Sequence, residues 1–264
     1  MSIDPFVVNT RDARGVVTLT LNRPAAFNAL SEGMLSALQT ELDAVEADPG
    51  ARVVVLAGAG RAFCAGHDLK EMRAEPSLAY YEALFAQCAR VMLSVQRLSV
   101  PVIARVQGIA TAAGCQLVAM CDLAVAASSA KFAVSGINLG LFCSTPSVAL
   151  ARNVPRKQAM EMLLTGDFID ANEARERGLV NRVAEPEALD AEIEKLVQRI
   201  VAKPRAAIAI GKAQFYRQIE VGVAQAYEIA GAAMACNMMD ASALEGVQAF
   251  IDKRAPQWAP PASG

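Results

Sequence analysis

Two runs of small residues are the parts of this sequence best suited to chemistry. The first is Phe63-Cys64-Ala65-Gly66-His67-Asp68-Leu69-Lys70-Glu71-Met72, and the second is Gly108-Ile109-Ala110-Thr111-Ala112-Ala113-Gly114-Cys115-Gln116-Leu117. Each follows a strand-like apolar run, and small side chains there leave backbone N–H groups open to a cleft and let a ligand approach the main chain. The second run leads into a helix, whose positive N-terminal end reinforces such donors. Two amides converging on one oxygen make an oxyanion hole, suited to an enolate or a tetrahedral thioester anion. Small residues also serve plain packing, and by themselves the runs leave both uses open.

Other chemistries find less support. Gly58-Ala59-Gly60 follows a strand, but Phe63 stands where a dinucleotide fingerprint needs its third glycine, and no helix opens immediately. Six cysteines without a CxxC pair, and a single histidine, His67, leave a zinc site without its usual ligands. Free thiols in a reducing compartment are expected, with Cys64 and Cys143 buried and inert rather than nucleophilic. His67 has the one side chain whose ordinary pKa suits proton transfer; its plainer use is as a pocket-lining imidazole.

The elements that must position these runs follow from periodicity. Arg14 to Leu21 reads as a strand ended by Asn22-Arg23-Pro24. Ser31 offers an N-cap to a helix with Leu35, Leu38, Leu42 and Val45 at helical spacing. Val53–Gly58, Pro101–Val106 and Asp122–Ala127 read as buried strands, Leu179–Ala184 as a further one, and a long amphipathic helix follows Ser77. Strands alternating with helical crossovers imply an α/β fold with parallel sheets. Capping boxes are expected at Asp170 with Glu173 and at Ser242 with Glu245. Lys203-Pro204 divides a core, residues 1–203, from a helical section, residues 204–264, whose tail APQWAPPASG reads as frayed.

Bulk composition narrows the partners. With 25 basic against 27 acidic residues, no net field attracts nucleic acid. The most apolar stretch, Leu98–Ala127, is interrupted by Pro101, Arg105, Gln107, Gln116 and Asp122, so no membrane span is expected. The N-terminus lacks the pattern of a targeting peptide, and a cytoplasmic location is the expectation. An apolar fraction of 54% points to apolar surface buried between copies of the chain.

A set of ordered motifs adds a resemblance. Asn22-Arg23-Pro24 with Asn28-Ala29-Leu30, Ala62 to Met72, Pro101-Val102-Ile103-Ala104, Gly108, Gly114-Cys115 and Cys121-Asp122 are similar to signatures of the crotonase (enoyl-CoA hydratase/isomerase) superfamily. The likeness continues through Ala130-Lys131-Phe132, Asn138-Leu139-Gly140, Met160 to Gly166 and Gly178-Leu179-Val180 to Phe250-Ile251-Asp252-Lys253-Arg254, nearly the whole chain. Gly66 to Glu71, Ala112 to Leu117 and Gly140 to Pro146 resemble most the enoyl-CoA hydratase domain-containing protein 3 group. The resemblance implies a crotonase-like core of repeated ββα turns and a C-terminal helical section that builds trimers, often paired into hexamers. It implies an acyl-CoA thioester as ligand, with coenzyme A carried by the substrate and no separate cofactor or metal. The oxyanion donors would be the amides of His67 and Ala113. Ala26, Ala65, Asp68, Leu69, Lys70 and Gly114 would line the ligand, and Phe250 and Lys253 would reach a neighbouring subunit's CoA. For Lys253 a solvated helix-end charge is the plainer reading.

The departures bear on the reaction. By motif position, Gln116 and Gly136 stand where a hydratase of the superfamily carries its two glutamates, and neither exchanges protons near neutral pH. Ser144 stands where dehalogenases carry a nucleophilic aspartate, and a hydroxyl without a base does not replace it. An enolate-stabilising enzyme with another proton source, a decarboxylase and a non-catalytic acyl-CoA binder all fit these residues.

Overall fold

The computed structural model describes residues 4–258. Its N-terminal hairpin pairs β1 (Val7–Arg11) with β2 (Val16–Leu21), antiparallel, from Val7 opposite Leu21 to Arg11 opposite Val17. The helix α1 (Glu32–Ala47) is capped by Ser31, whose Oγ accepts the Met34 N–H at 3.1 Å, and buries Leu35, Leu38, Leu42 and Val45 as their spacing requires.

The chain then repeats one turn three times. β3 (Val53–Gly58) leads to β4 (Ala62–Cys64), then to α2 (Leu69–Ala74) and α3 (Leu78–Arg97). β5 (Val102–Val106) leads to β6 (Ile109–Thr111) and α4 (Ala113–Met120). β7 (Leu123–Ala127) leads to β8 (Lys131–Ala133), a 3-10 turn at Ser135–Leu139, and the helices α5 (Ser144–Asn153) and α6 (Arg156–Thr165). β9 (Ile169–Asp170), α7 (Ala171–Glu176), β10 (Arg182–Ala184) and α8 (Leu189–Val201) complete the core. Each turn gives its first strand to a six-stranded sheet, order β1-β2-β3-β5-β7-β10, and its second to a four-stranded sheet, order β4-β6-β8-β9. All pairings from β2 to β10 in the larger sheet are parallel.

The corners between the sheets explain two glycines. A Cβ on Gly108 would lie 2.0 Å from the Arg61 carbonyl oxygen, and one on Gly58 would lie 2.5 Å from that of Phe63. Gln107 ties the corner with its Nε2, donating to the carbonyls of Gly58 at 2.6 Å and Ala62 at 2.9 Å. The larger sheet is buried on both faces, with Val54 and Leu56 in the main core and Val53 and Val55 against Leu189, Ile193 and Val197 of α8. That double burial is why these strands read as continuous apolar runs.

Helices α9 (Arg205–Gln218), α10 (Val223–Met238) and α11 (Ala241–Ile251) follow Lys203-Pro204. The link to the core is polar and well shielded. Lys212 Nζ donates to Val95 O, Val100 O and Asp122 Oδ2 (2.7 Å), and the Tyr216 hydroxyl donates to Asp122 Oδ1 at 2.9 Å. Neither α9 nor α10 buries a residue within this chain, and Phe215, Tyr227, Met234 and Phe250 are exposed.

Several expectations shift in detail. β1, β4, β6 and β8 lie in segments that carry no strand expectation. The last three span only three residues, too short for alternation to show. The strand expected over Leu179–Ala184 is confined to Arg182–Ala184. Asp170 caps α7 through the Glu173 N–H at 2.8 Å, but Ser242 is no cap: Asp240 precedes α11 and accepts the Ser242 N–H at 2.9 Å. An earlier aspartate outcompetes the serine because its carboxylate is the stronger acceptor. Of the tail, residues 259–264 lie outside the described residues.

Candidate active site

The two small-residue runs meet main chain to main chain. Gly66 has φ +89°, and a Cβ there would sit 2.9 Å from Ala112 Cβ and 3.2 Å from the Ala113 nitrogen. A Cβ on Gly114 would sit 2.1 Å from the Cys64 carbonyl oxygen. Contacts this close require glycine on both sides.

Each run leaves one backbone N–H beside this contact. Leu30 bridges His67 in parallel fashion: its N–H donates to Gly66 O at 2.8 Å, and its carbonyl accepts the Asp68 N–H at 3.3 Å. The flanking residues make both bonds, so the N–H of His67 faces away from Leu30. Ala113 is the first residue of α4, where an N–H has no intrahelical acceptor. Ala112, just before it, stands at φ +51°, ψ −121°, a conformation natural to glycine, and its own N–H is held by Ala133 O at 3.0 Å. Sequence reasoning missed this strained alanine, because the neighbouring small residues give no sign of which one turns.

The surrounding loop is fixed by Asn28, a fully buried residue. Its Nδ2 faces the carbonyls of Ala59 (2.9 Å), Ala62 (2.9 Å) and Phe63 (3.1 Å), and its Oδ1 accepts the Arg23 N–H at 2.9 Å. Phe27 and Asn28 both have positive φ, which bends the chain so that Phe27 O accepts the Ala65 N–H at 3.0 Å. Ala26 ends the 3-10 turn Pro24–Ala26 beside this bond. Asp68 pairs with Arg23 at 3.2 Å and caps α2, its Oδ1 accepting the Lys70 N–H at 3.1 Å; Leu69 and Lys70 are exposed there.

Burial pushes the His67 imidazole below its usual pKa of 6.5, an effect weakly opposed by the Leu30 backbone. The ring packs edge-on against Phe85 of α3, centroids 5.5 Å apart. Among the described residues neither of its nitrogens has a well-formed hydrogen-bond partner, nor has Oε1 of Gln116, a residue only 6% exposed. Gly136 lies in the turn after β8. A Cβ on it would sit 2.6 Å from Leu141 O and 2.8 Å from Cys143 Sγ, and its N–H donates to that sulfur at 3.3 Å. Ser144 is exposed at the start of α5, its hydroxyl 3.4 Å from Phe142 O, with no base among its hydrogen-bond partners in the described residues. Burial pushes the thiols of Cys64, Cys88 and Cys115 up to about 12, which leaves them protonated and inert.

Phe250 and Lys253 are not brought to His67 and Ala113 in the single chain. Phe250 borders a cavity of about 400 Å³ with Pro204, Ala207 and Trp258 in the helical section. Lys253, exposed at φ +54°, follows α11. Two further cavities, of about 360 and 210 Å³, lie against α8 and between α6 and α7, away from the convergence of the two runs.

Residues 11–261 match the family model described as enoyl-CoA hydratase/isomerase. The chain belongs to the enoyl-CoA hydratase/isomerase family. Its fold is the crotonase fold, as an enoyl-CoA hydratase structure from Mycobacterium smegmatis makes plain, with 68% identity, TM-score 0.96, and 97% of this chain and 99% of that one covered. The human enoyl coenzyme A hydratase domain-containing protein 3 structure follows at 41% identity and TM-score 0.92, over 96% and 100% of the two chains. Rat enoyl-CoA hydratase domain-containing protein 3, named as mitochondrial, is 42% identical over 255 residues, 97% of this chain and 85% of the relative. These similarities place the chain with the domain-containing protein 3 group. No helix among the described residues is long and apolar enough to cross a membrane.

Proposed function

We propose that the chain binds acyl-CoA thioesters and stabilises a thioester enolate on the backbone amides of His67 and Ala113. The observation that carries this reading is the contact of Gly66 with Ala112 and Ala113, which sets one outward amide beside the N-terminus of α4. As charge moves onto the thioester oxygen, two preorganised N–H donors and the helix dipole stabilise it without reorganisation. Ala26, Ala65, Asp68, Leu69, Lys70 and Gly114 are proposed to line the CoA ligand, with Phe250 and Lys253 supplied by a neighbouring copy in a trimer or dimer of trimers. The exposed apolar residues of α9 to α11 support that assembly. A cytoplasmic location belongs to the same proposal and is checked by cell fractionation.

Ordinary hydration is disfavoured within this reading. Gln116 carries a neutral amide, and the space beyond Gly136 is filled by the main chain of Leu141 and the sulfur of Cys143. Loss of carbon dioxide also yields an enolate and needs the two amides more than two carboxylates, which makes decarboxylation the second reading. Calorimetry with a non-hydrolysable acyl-CoA tests the core claim. The thioester is expected to bind in the micromolar range and tighter than CoA; equal affinities would remove the oxyanion hole. Crotonyl-CoA hydration should fall short of a two-glutamate relative by several powers of ten, since each acid/base group contributes about 10² to 10⁴. A rate equal to that relative's would assign proton transfer elsewhere, with His67 the first residue to examine. Failure of any acyl-CoA to turn over, with binding intact, would make the protein a binder.

A further inference from the structure

The aim of the Ala113 N–H depends on Ala112, whose strained turn (φ +51°, ψ −121°) persists only where its surroundings over-determine it. One constraint comes from the first small-residue run: a Cβ on Gly66 would lie 2.9 Å from Ala112 Cβ and 3.1 Å from Thr111 O, so the backbone of that glycine rests on the turn. A second comes from the sheet. Thr111, the last residue of β6, pairs with Ala133 of β8, and the Ala112 N–H donates to Ala133 O at 3.0 Å, after which the ladder stops. A hydroxyl pair extends it. Thr111 Oγ1 and Ser135 Oγ, both on half-buried residues, share a hydrogen bond of 2.8 Å in which either serves as donor. Ser135 opens the 3-10 turn Ser135–Leu139, so the bond ties the residue before Ala112 to the turn that carries Gly136. Valine would suit a strand position as well as threonine, and only threonine brings the hydroxyl.

We propose that the Thr111–Ser135 hydroxyl pair positions the oxyanion donor at Ala113. This rests on the oxyanion reading above and deepens it by naming what holds the second amide. With either hydroxyl gone, the end of β6 is held to β8 only by the main-chain bonds of a three-residue strand, and Ala112 relaxes toward an ordinary negative φ. That rotation turns the peptide plane between Ala112 and Ala113, which carries the Ala113 N–H, while the buried side chains of α4 stay in the core. The amide then points off the thioester oxygen. The His67 amide, set by the Leu30 bridge in the other run, keeps its direction, and the CoA portion, proposed to lie along that run, is bound as before. Thr111 and Ser135 act through the backbone and are positioning residues.

The test is calorimetric binding of butyryl-CoA and of its thioether analogue S-butyl-CoA, which lacks the carbonyl oxygen, to the intact protein, with mass spectrometry to verify that the thioester is unchanged. The parent is expected to prefer butyryl-CoA. Thr111→Val and Ser135→Ala should each lower that preference by about fivefold, the equilibrium worth of one neutral hydrogen bond, while S-butyl-CoA affinity stays within about twofold. Thr111→Ser, which keeps the hydroxyl, should retain the preference, and the double variant should lose no more than either single one, because both remove the same bond. A merely structural tie would weaken both ligands alike or neither. The proposal is overturned if the preference survives both single substitutions, if the two affinities fall together, or if Thr111→Ser loses as much as Thr111→Val. Each single variant decides alone should the other fail to fold, and failure of both to fold would make the pair a fold-stabilising tie and overturn the proposal too. Equal affinity of the parent for the two ligands fails the oxyanion reading itself, a result distinct from a parental preference that the substitutions leave intact.

Discussion

Replacing Asn28 by alanine removes the side chain that holds the loop before α1 against the β3–β4 corner. Among the described residues, two groups lose their partner outright: the Ala59 carbonyl and the Arg23 N–H. Phe63 O loses a donor, while Ala62 O keeps Gln107 Nε2 at 2.9 Å. With about 1–3 kcal/mol for each of the two stranded, partly buried groups and about 1 kcal/mol for the lost third bond, the change should destabilise the fold by about 3–7 kcal/mol. Against a typical total of about 5–15 kcal/mol this is large. Asn28→Gly should be less damaging than Asn28→Ala by about 1 kcal/mol, because φ at this position is +54°. Urea unfolding at fixed protein concentration measures both, and thioester calorimetry on the folded fraction reads the site. Acyl-CoA affinity should drop with stability, since the loop also receives the Ala65 N–H immediately before Gly66. A loss under about 1 kcal/mol for Asn28→Ala would refute the role given to this hub.

Ala112→Gly should raise stability by about 1 kcal/mol in the same unfolding assay, because glycine relieves a conformation that costs alanine about 1–3 kcal/mol and returns part of that gain as chain entropy. Lys212→Met leaves the shielded Asp122 carboxylate hydrogen-bonded by Tyr216 and the Val102 N–H but without its counter-charge, and should cost about 3 kcal/mol, with a sedimentation shift as α9 to α11 loosen from the core. His67 has a folded pKa below its unfolded value of 6.5, so the unfolded chain takes up the proton first. Its contribution to stability is therefore present above pH 6.5 and lost as pH falls towards the folded pKa, with a slope of at most about 1.4 kcal/mol per pH unit, and His67→Phe should flatten that limb of the profile. Gln116→Glu paired with Gly136→Glu restores both acids in name, yet the second change should lower the melting temperature and give little hydration until the Leu141–Cys143 loop moves, because its Cβ meets Leu141 O at 2.6 Å.

The sequence by itself carried the repeating strand and helix order, the caps at Ser31 and Asp170, and the two small-residue runs, because periodicity, capping and backbone access are local properties. Its ordered motifs also pointed to the crotonase family, to which the family match and the M. smegmatis structure now assign the chain. Tertiary structure decided the rest. The three-residue strands β4, β6 and β8 exist because neighbouring turns of the chain pair with them, not because their own sequence alternates. Ala112 takes its strained conformation because α4 must begin where Cys64 O leaves room only for Gly114. Asn28 reads as a motif residue in sequence, but its task as a four-bond hub depends on carbonyls more than thirty positions away. The space that a side chain at Gly136 would need is likewise taken by residues that fold back over it, a long-range steric fact that no local pattern encodes.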